Sequence, residues 1–92
     1  MEKLTVLTNG QVSIAVSADG AELCSLRKGE KEYLWQADPI YWKRHSPVLF
    51  PIVGRVWENR FRIAHKEFAL SQHGFARDRE FRLLSQTEQE VW

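Results

Sequence analysis

The Asn9-Gly10 dipeptide, set between two runs of alternating apolar residues, constrains this chain more than any other feature. A type I′ turn needs positive φ at both central residues, and Asn-Gly accepts that readily. The pair marks Thr5 to Val16 as a β-hairpin. With a two-residue turn, Leu7 faces Val12 and Thr5 faces Ile14. Leu7, Val12, Ile14 and Val16 then share one face, and Ser13 and Ser17 point to the other. Asp19-Gly20 turns the chain again. Ala21 to Leu26 reads as a third strand, Lys28-Gly29-Glu30 as a turn, and Glu32 to Trp35 as a short fourth strand.

Gln36 to Pro47 reads as irregular. Asp38-Pro39 favours a turn, and Pro47 disfavours helix just before it. Tyr41-Trp42 fits a helical turn or a capping loop. Arg60 to Ile63 and Lys66 to Leu70 form a second hairpin. With Ala64-His65 as its turn, Phe61 sits opposite Phe68 and Arg62 opposite Glu67. Such aromatic and opposite-charge pairs contribute roughly 0.2–1 kcal/mol each. Glu80 to Thr87 reads as a further strand. No sustained 3.6-residue stripe, repeat or linker appears. The expected fold class is all-β, antiparallel and loop-rich, with less than a turn or two of helix.

Ninety-two residues suffice for one small domain of marginal stability. Four Trp and five Phe are many for that length, which points to apolar surface completed by other chain. Thirteen basic against twelve acidic residues leave a formal charge of +1, which argues against a dedicated nucleic-acid or acidic-membrane binder. The single Cys24 cannot form an internal disulfide, so a secreted disulfide scaffold is not expected. Met1-Glu2-Lys3-Leu4 begins without an apolar leader, and the longest apolar run falls far short of a membrane helix. The expected location is cytoplasmic.

Pro47 to Arg77 concentrates the chemistry. Val48, Leu49, Phe50, Ile52 and Val53 form an apolar segment before Gly54. Arg55, Arg60 and Arg62 follow, and the stretch closes on His73-Gly74-Phe75-Ala76-Arg77. Apolar packing, sharp turns and hydrogen-bonding cations together suit a cleft for a polar, neutral ligand. The strings Pro47-Val48-Leu49-Phe50-Pro51-Ile52-Val53-Gly54-Arg55, Asn59-Arg60 and Gln72-His73-Gly74-Phe75-Ala76-Arg77 resemble the aldose 1-epimerase (galactose mutarotase-like) family, in its LacX-related branch. Glu32-Tyr33-Leu34-Trp35 and Trp42 also fit. The first and last strings together are specific; either alone is weak. The Ala64-His65 turn departs from the Asp-Gly often found there.

The resemblance covers most of this chain but only the N-terminal part of the much longer family members. It implies that residues 1–92 are the N-terminal segment of a galactose mutarotase-like domain, an incomplete β-supersandwich. It implies an aldohexose or a derivative as ligand, no cofactor, and interconversion of α and β anomers in the full-length form. A base removes the C1 hydroxyl proton, an acid protonates the ring oxygen, and the opened ring recloses on the other face of C1. In the family, a second histidine is the principal acid and a glutamate the base. Both lie downstream of the matched strings, and Glu80, Glu88 and Glu90 match neither. The 92 residues alone are therefore expected to be inactive, and to self-associate or pair with the missing part of the fold.

His73 is the catalytic and substrate-binding candidate. By pattern alone it is a histidine satisfying a loop carbonyl; by resemblance it hydrogen-bonds the sugar near its ring oxygen and C1 hydroxyl. Asn59 and Arg60 are further substrate-binding candidates. Arg60 offers five donors in a fixed fork, against the alternative of a surface arginine. Arg55 reads as structural, paired with Asp78 or Glu58, and Arg77 as orienting His73 or in an ion pair. Trp42 and Phe75 are candidate stacking faces, although aromatics are more often core.

No metal site is expected. Cys24, His45, His65 and His73 lack the spacing of a structural zinc motif, and Cys24 reads as an inert core thiol. No G-x-S-x-G elbow supports Ser71, His73 and Asp78 as a triad, and no glycine loop cradles phosphate. Two rival readings remain. One is a non-catalytic carbohydrate-binding or subunit-forming fragment. The other is a single-strand nucleic-acid binder built on Arg60, Arg62, Arg77, Arg79 and Arg82 with Phe61, Phe75 and Phe81.

Overall fold

A computed structural model describes residues 3–92. Met1 and Glu2, where the absence of a leader was read, lie outside the described residues. Among the described residues, six strands occur in two antiparallel sheets, with two single 3-10 turns at Trp57–Asn59 and Ala76–Asp78. The first sheet runs in the order β1 (Leu4–Thr8), β2 (Val12–Ser17), β3 (Glu22–Lys28), β4 (Lys31–Glu32). The second is the hairpin of β5 (Arg60–Ile63) and β6 (Lys66–Ala69). The all-β, antiparallel expectation holds.

The first hairpin pairs two residues out from the expected register. Leu7 lies opposite Ile14 and Thr5 opposite Val16. The cause is Asn9, whose Oδ1 accepts the amides of Gln11 (2.9 Å) and Val12 (2.8 Å). This Asx geometry closes a four-residue loop after the Thr8–Ser13 pair, with only Gly10 in the left-handed region (φ 89°). A shift of two preserves the period-2 alternation, so Leu7, Val12, Ile14 and Val16 still share a face.

β3 keeps that face continuous through a bulge. Ile14 pairs with Leu26 but Val16 with Leu23, so Cys24 is the extra residue. The bulge puts Leu23 and Leu26, three apart, on one face. The opposite face carries Ala15, Ser17, Glu22 and Cys24, all buried. The irregular segment after β4 lies over it. Glu22 Oε1 accepts the amides of His45 (2.9 Å) and Ser46 (3.2 Å), and Ser46 Oγ donates to the Leu23 carbonyl (2.7 Å).

The fourth strand is shorter and earlier than Glu32 to Trp35. The Glu32 carboxylate accepts the Ser25 hydroxyl and the amides of Leu26 (2.8 Å) and Leu34 (3.1 Å), curling the chain off the sheet. Those bonds, the Ser25 hydroxyl foremost, lower its pKa to about 2. No strand forms over Glu80 to Thr87. That segment makes isolated bridges, Asp19 with Glu80 and Gln86 with Val91. The Thr87–Glu90 turn folds Trp92 back onto Ser85 (2.9 Å), so the segment pairs mainly with itself.

The second hairpin has the expected register, Phe61 with Phe68 and Arg62 with Glu67. The two rings stack with centroids 5.2 Å apart. Apolar cover is thin. The buried apolar residues described are Leu7, Ala15, Cys24, Leu70 and Ala76, while Tyr41, Trp57, Val53 and Ile40 are more than three-quarters exposed. The radius of gyration is 16.2 Å, against about 12 Å for a compact chain of this length.

Candidate functional site

His73 and Gly74 close the second hairpin's outgoing strand with consecutive left-handed residues, φ 63° and 74°. The Gly74 amide donates to the Ser71 carbonyl (2.9 Å), forming the turn. Glycine is required here by space as well as by φ. A Cβ on Gly74 would lie 2.2 Å from the Phe50 carbonyl oxygen, a rigid backbone neighbour. That carbonyl, preceding the cis Pro51, accepts the amides of Phe75 (3.0 Å) and Ala76 (3.2 Å). The two strings noted in the sequence are therefore locked together through main chain.

The same locking orients His73. Its amide donates to the Gly54 carbonyl (2.7 Å), and the Gly54 amide donates to His73 Nδ1 (2.9 Å). A ring nitrogen that accepts an N–H carries no proton, so a neutral His73 has its proton on Nε2. The ring edge facing away from Gly54 is thus a hydrogen-bond donor. His73 lines an open cleft of about 420 Å³ with Trp42, Ser46, Pro47, Leu49, Gln72 and Arg77. Trp42 is half-exposed, and its carbonyl accepts the Trp35 indole N–H (2.8 Å). The Tyr41 (3.0 Å) and Trp42 (2.9 Å) amides both donate to the Asp38 carbonyl, the bonds of a single helical turn.

Asn59 and Arg60 do not line that cleft. Asn59 Oδ1 accepts Arg55 Nε (3.0 Å), linking the ends of the Gly54–Asn59 loop. Arg60 extends between Glu58 (2.6 Å) and Glu67 (3.7 Å) on the hairpin surface. Arg55 therefore pairs with neither carboxylate expected of it: Arg60 takes Glu58, and Arg44 takes Asp78 at 2.9 Å. The Arg44 hydrogen bond also lowers the Asp78 pKa. Arg77 Nη2 donates to the Gln72 carbonyl (2.9 Å), beside His73, while its Nε is buried without a hydrogen-bond partner. Phe75 stands outside the cleft, with the Arg79 guanidinium 5.5 Å from its ring centroid. Several basic and aromatic groups of the nucleic-acid reading thus engage one another or nearby acids. Sequence reasoning missed Gly54 as the partner of His73. The signal was its place directly after the Pro-rich apolar string.

Comparison with known proteins bears on this locked pair of strings. The aldose 1-epimerase family profile matches residues 3–91. The chain belongs to the aldose 1-epimerase family. The plasmid and chromosomal LacX proteins of Lactococcus lactis subsp. lactis are each 36% identical over 92% of this chain. A galactose mutarotase related enzyme from Lactobacillus acidophilus superposes with a TM-score of 0.94 at 36% identity over 97% of the chain. A galactose mutarotase-like protein from Lactobacillus casei ATCC 334 gives 0.88 at 34% over 94%. The chain spans about 30% of the length of each of these four relatives. Its fold is thus the galactose mutarotase-like arrangement over that share. No helix among the described residues is long and apolar enough to cross a membrane.

Proposed function

We propose that these 92 residues are the N-terminal segment of a cytoplasmic mutarotase-like domain. In its full-length form the domain binds an aldohexose or a derivative and interconverts its anomers. The observation that carries this reading is the His73 ring, fixed by Gly54 so that Nε2–H is the group left for a ligand. A donor at that position suits the ring oxygen or C1 hydroxyl of a pyranose, where proton transfer opens the ring. Trp42, on the same cleft, offers an apolar face to the sugar's C–H side. In this reading Asn59 and Arg60 contribute hydroxyl contacts once the remaining fold draws their loop toward the cleft. The acid and base that complete the reaction come from that remaining fold.

The test is polarimetry on freshly dissolved α-galactose and α-glucose, using the domain completed to the length of its relatives. His73→Ala should slow anomer exchange by about 10²-fold or more. Unchanged rates would remove His73 from the site. The 92-residue chain alone should leave the rate at that of buffer and self-associate, its apolar faces and strand edges lacking cover. A monomer that accelerates mutarotation would contradict both statements.

A further inference from the structure

We propose that Glu22, Cys24 and His45 form a binding site for a thiophilic divalent cation of the zinc class, on the buried polar face of the first sheet. One ligand atom from each lies within 4.8 Å of the other two. His45 Nδ1 and Glu22 Oε1 are 3.6 Å apart. Zinc–ligand bonds of about 2.0–2.3 Å in a tetrahedron separate ligands by roughly 3.3–3.8 Å. The widest separation in the cluster therefore contracts by up to about 1–1.5 Å to close on an ion.

The fold prepares the site in three ways. Strand alternation places the Cys24 thiol, two residues on from Glu22, on the same face as its carboxylate. Two backbone amides hold Glu22 Oε1, and Oε2 carries neither of those bonds. The first of the amides belongs to His45 itself, so one contact sets both ligands. Glu22 and Cys24 are buried and the His45 side chain is one-fifth exposed, giving an entry path through a cleft of about 280 Å³ that Asp19 also lines.

The chemistry is balanced. Cys24 Sγ now donates to the Glu22 carbonyl (3.4 Å). Metal binding replaces the thiol proton, which leaves to solvent, and the thiolate and carboxylate together offset the ion's two charges. A thiolate–imidazole–carboxylate set selects zinc or cobalt over magnesium or calcium. Lys43, Arg44 and Arg77 line the same cleft and oppose a cation; Arg44 is engaged by Asp78. Linear spacing hid the site because two ligands come from β3 and the third from a loop some twenty residues on. The ion would tie β3 to the segment whose Trp42, Ser46 and Pro47 wall the His73 cleft. It takes no part in proton transfer.

Cobalt titration of the reduced chain tests the proposal. The expected result is saturation at a single site, with thiolate-to-cobalt charge transfer and d–d bands of tetrahedral strength. Cys24→Ser should abolish the charge-transfer band. His45→Ala should weaken binding by about tenfold or more, on the scale of a lost ligand or its support. His65→Ala, at the exposed hairpin turn, should titrate like the parent. Since a variant can fail by misfolding, thiol labelling of the unmodified chain provides a second readout. Zinc should slow Cys24 modification by about tenfold or more, and magnesium should leave it unchanged. Absence of the charge-transfer band, or equal labelling rates with zinc and magnesium, would overturn the proposal.

Discussion

The two hairpins reach their register by opposite means. The first carries Asn9-Gly10, the strongest turn signal in the chain, yet pairs two residues away from the register that signal implies. The second turns at Ala64-His65, with Ala64 at φ 56° and no glycine, yet pairs as its side chains imply. In the first sheet, polar side chains close the connections by accepting backbone amides. Asn9 takes Gln11 and Val12, Ser17 takes Asp19, and Glu32 takes Leu26 and Leu34. In the second hairpin, the Phe61–Phe68 stack and the Arg62–Glu67 pair align the strands and the turn accommodates them. A turn dipeptide thus marks where a chain reverses. The register belongs to whichever bonds are costlier to leave unmade.

The largest expected effect that sharpens this comparison comes from Phe68→Ala. It removes the stack from the hairpin that depends on it, and Phe68 is already 40% exposed. The loss should be about 2 kcal/mol, below the range for a fully buried ring, read as earlier denaturation of the 60–69 region by amide exchange. Asn9→Ala comes next. Two amides lose their acceptor, so about 1 kcal/mol should go, with amide exchange at Gln11 and Val12 rising first. A shift of the pairing to Leu7 opposite Val12 in that variant would establish that Asn9 alone holds the longer loop.

Acid titration probes the same device at Glu32. Its pKa falls from an ordinary 4.5 to about 2 in the fold. The stability it contributes is therefore complete above about pH 4.5 and disappears as the pH drops through 2. Glu32→Gln should flatten the acid-unfolding curve across that window. The effect should be modest, because the carboxylate is only part-buried. Smallest is Arg62→Ala, where an exposed pair should contribute only a few tenths of a kcal/mol. A loss as large as that of Phe68→Ala would mean that charge, not the stack, sets the register.

Much of the fold was legible. Alternation over Val12 to Val16 and the paired Phe61 and Phe68 are local patterns, and the strings around Gly54 and His73 are specific enough to carry a family. What was not legible depends on contacts distant in sequence. The bulge at Cys24 exists because Leu23 and Leu26 must share a face. Glu22 reaches His45 and Ser46 across the chain, and no local pattern announces it. Glu80 to Thr87 alternates like a strand but makes only isolated bridges, at Glu80 and Gln86, and its C-terminal half bonds largely to the turn that follows it. Arg60 reads as a ligand group by its string, while its neighbours Glu58 and Glu67 occupy its guanidinium.

The central claim is that Gly54 holds His73 Nδ1 as an acceptor, which leaves Nε2–H for the ligand we propose. Long-range nitrogen–proton NMR of the imidazole rings tests it most directly, in the chain as it stands. The account predicts an Nε2–H tautomer for neutral His73, distinct from the exposed His65. An Nδ1–H tautomer for His73 would contradict it.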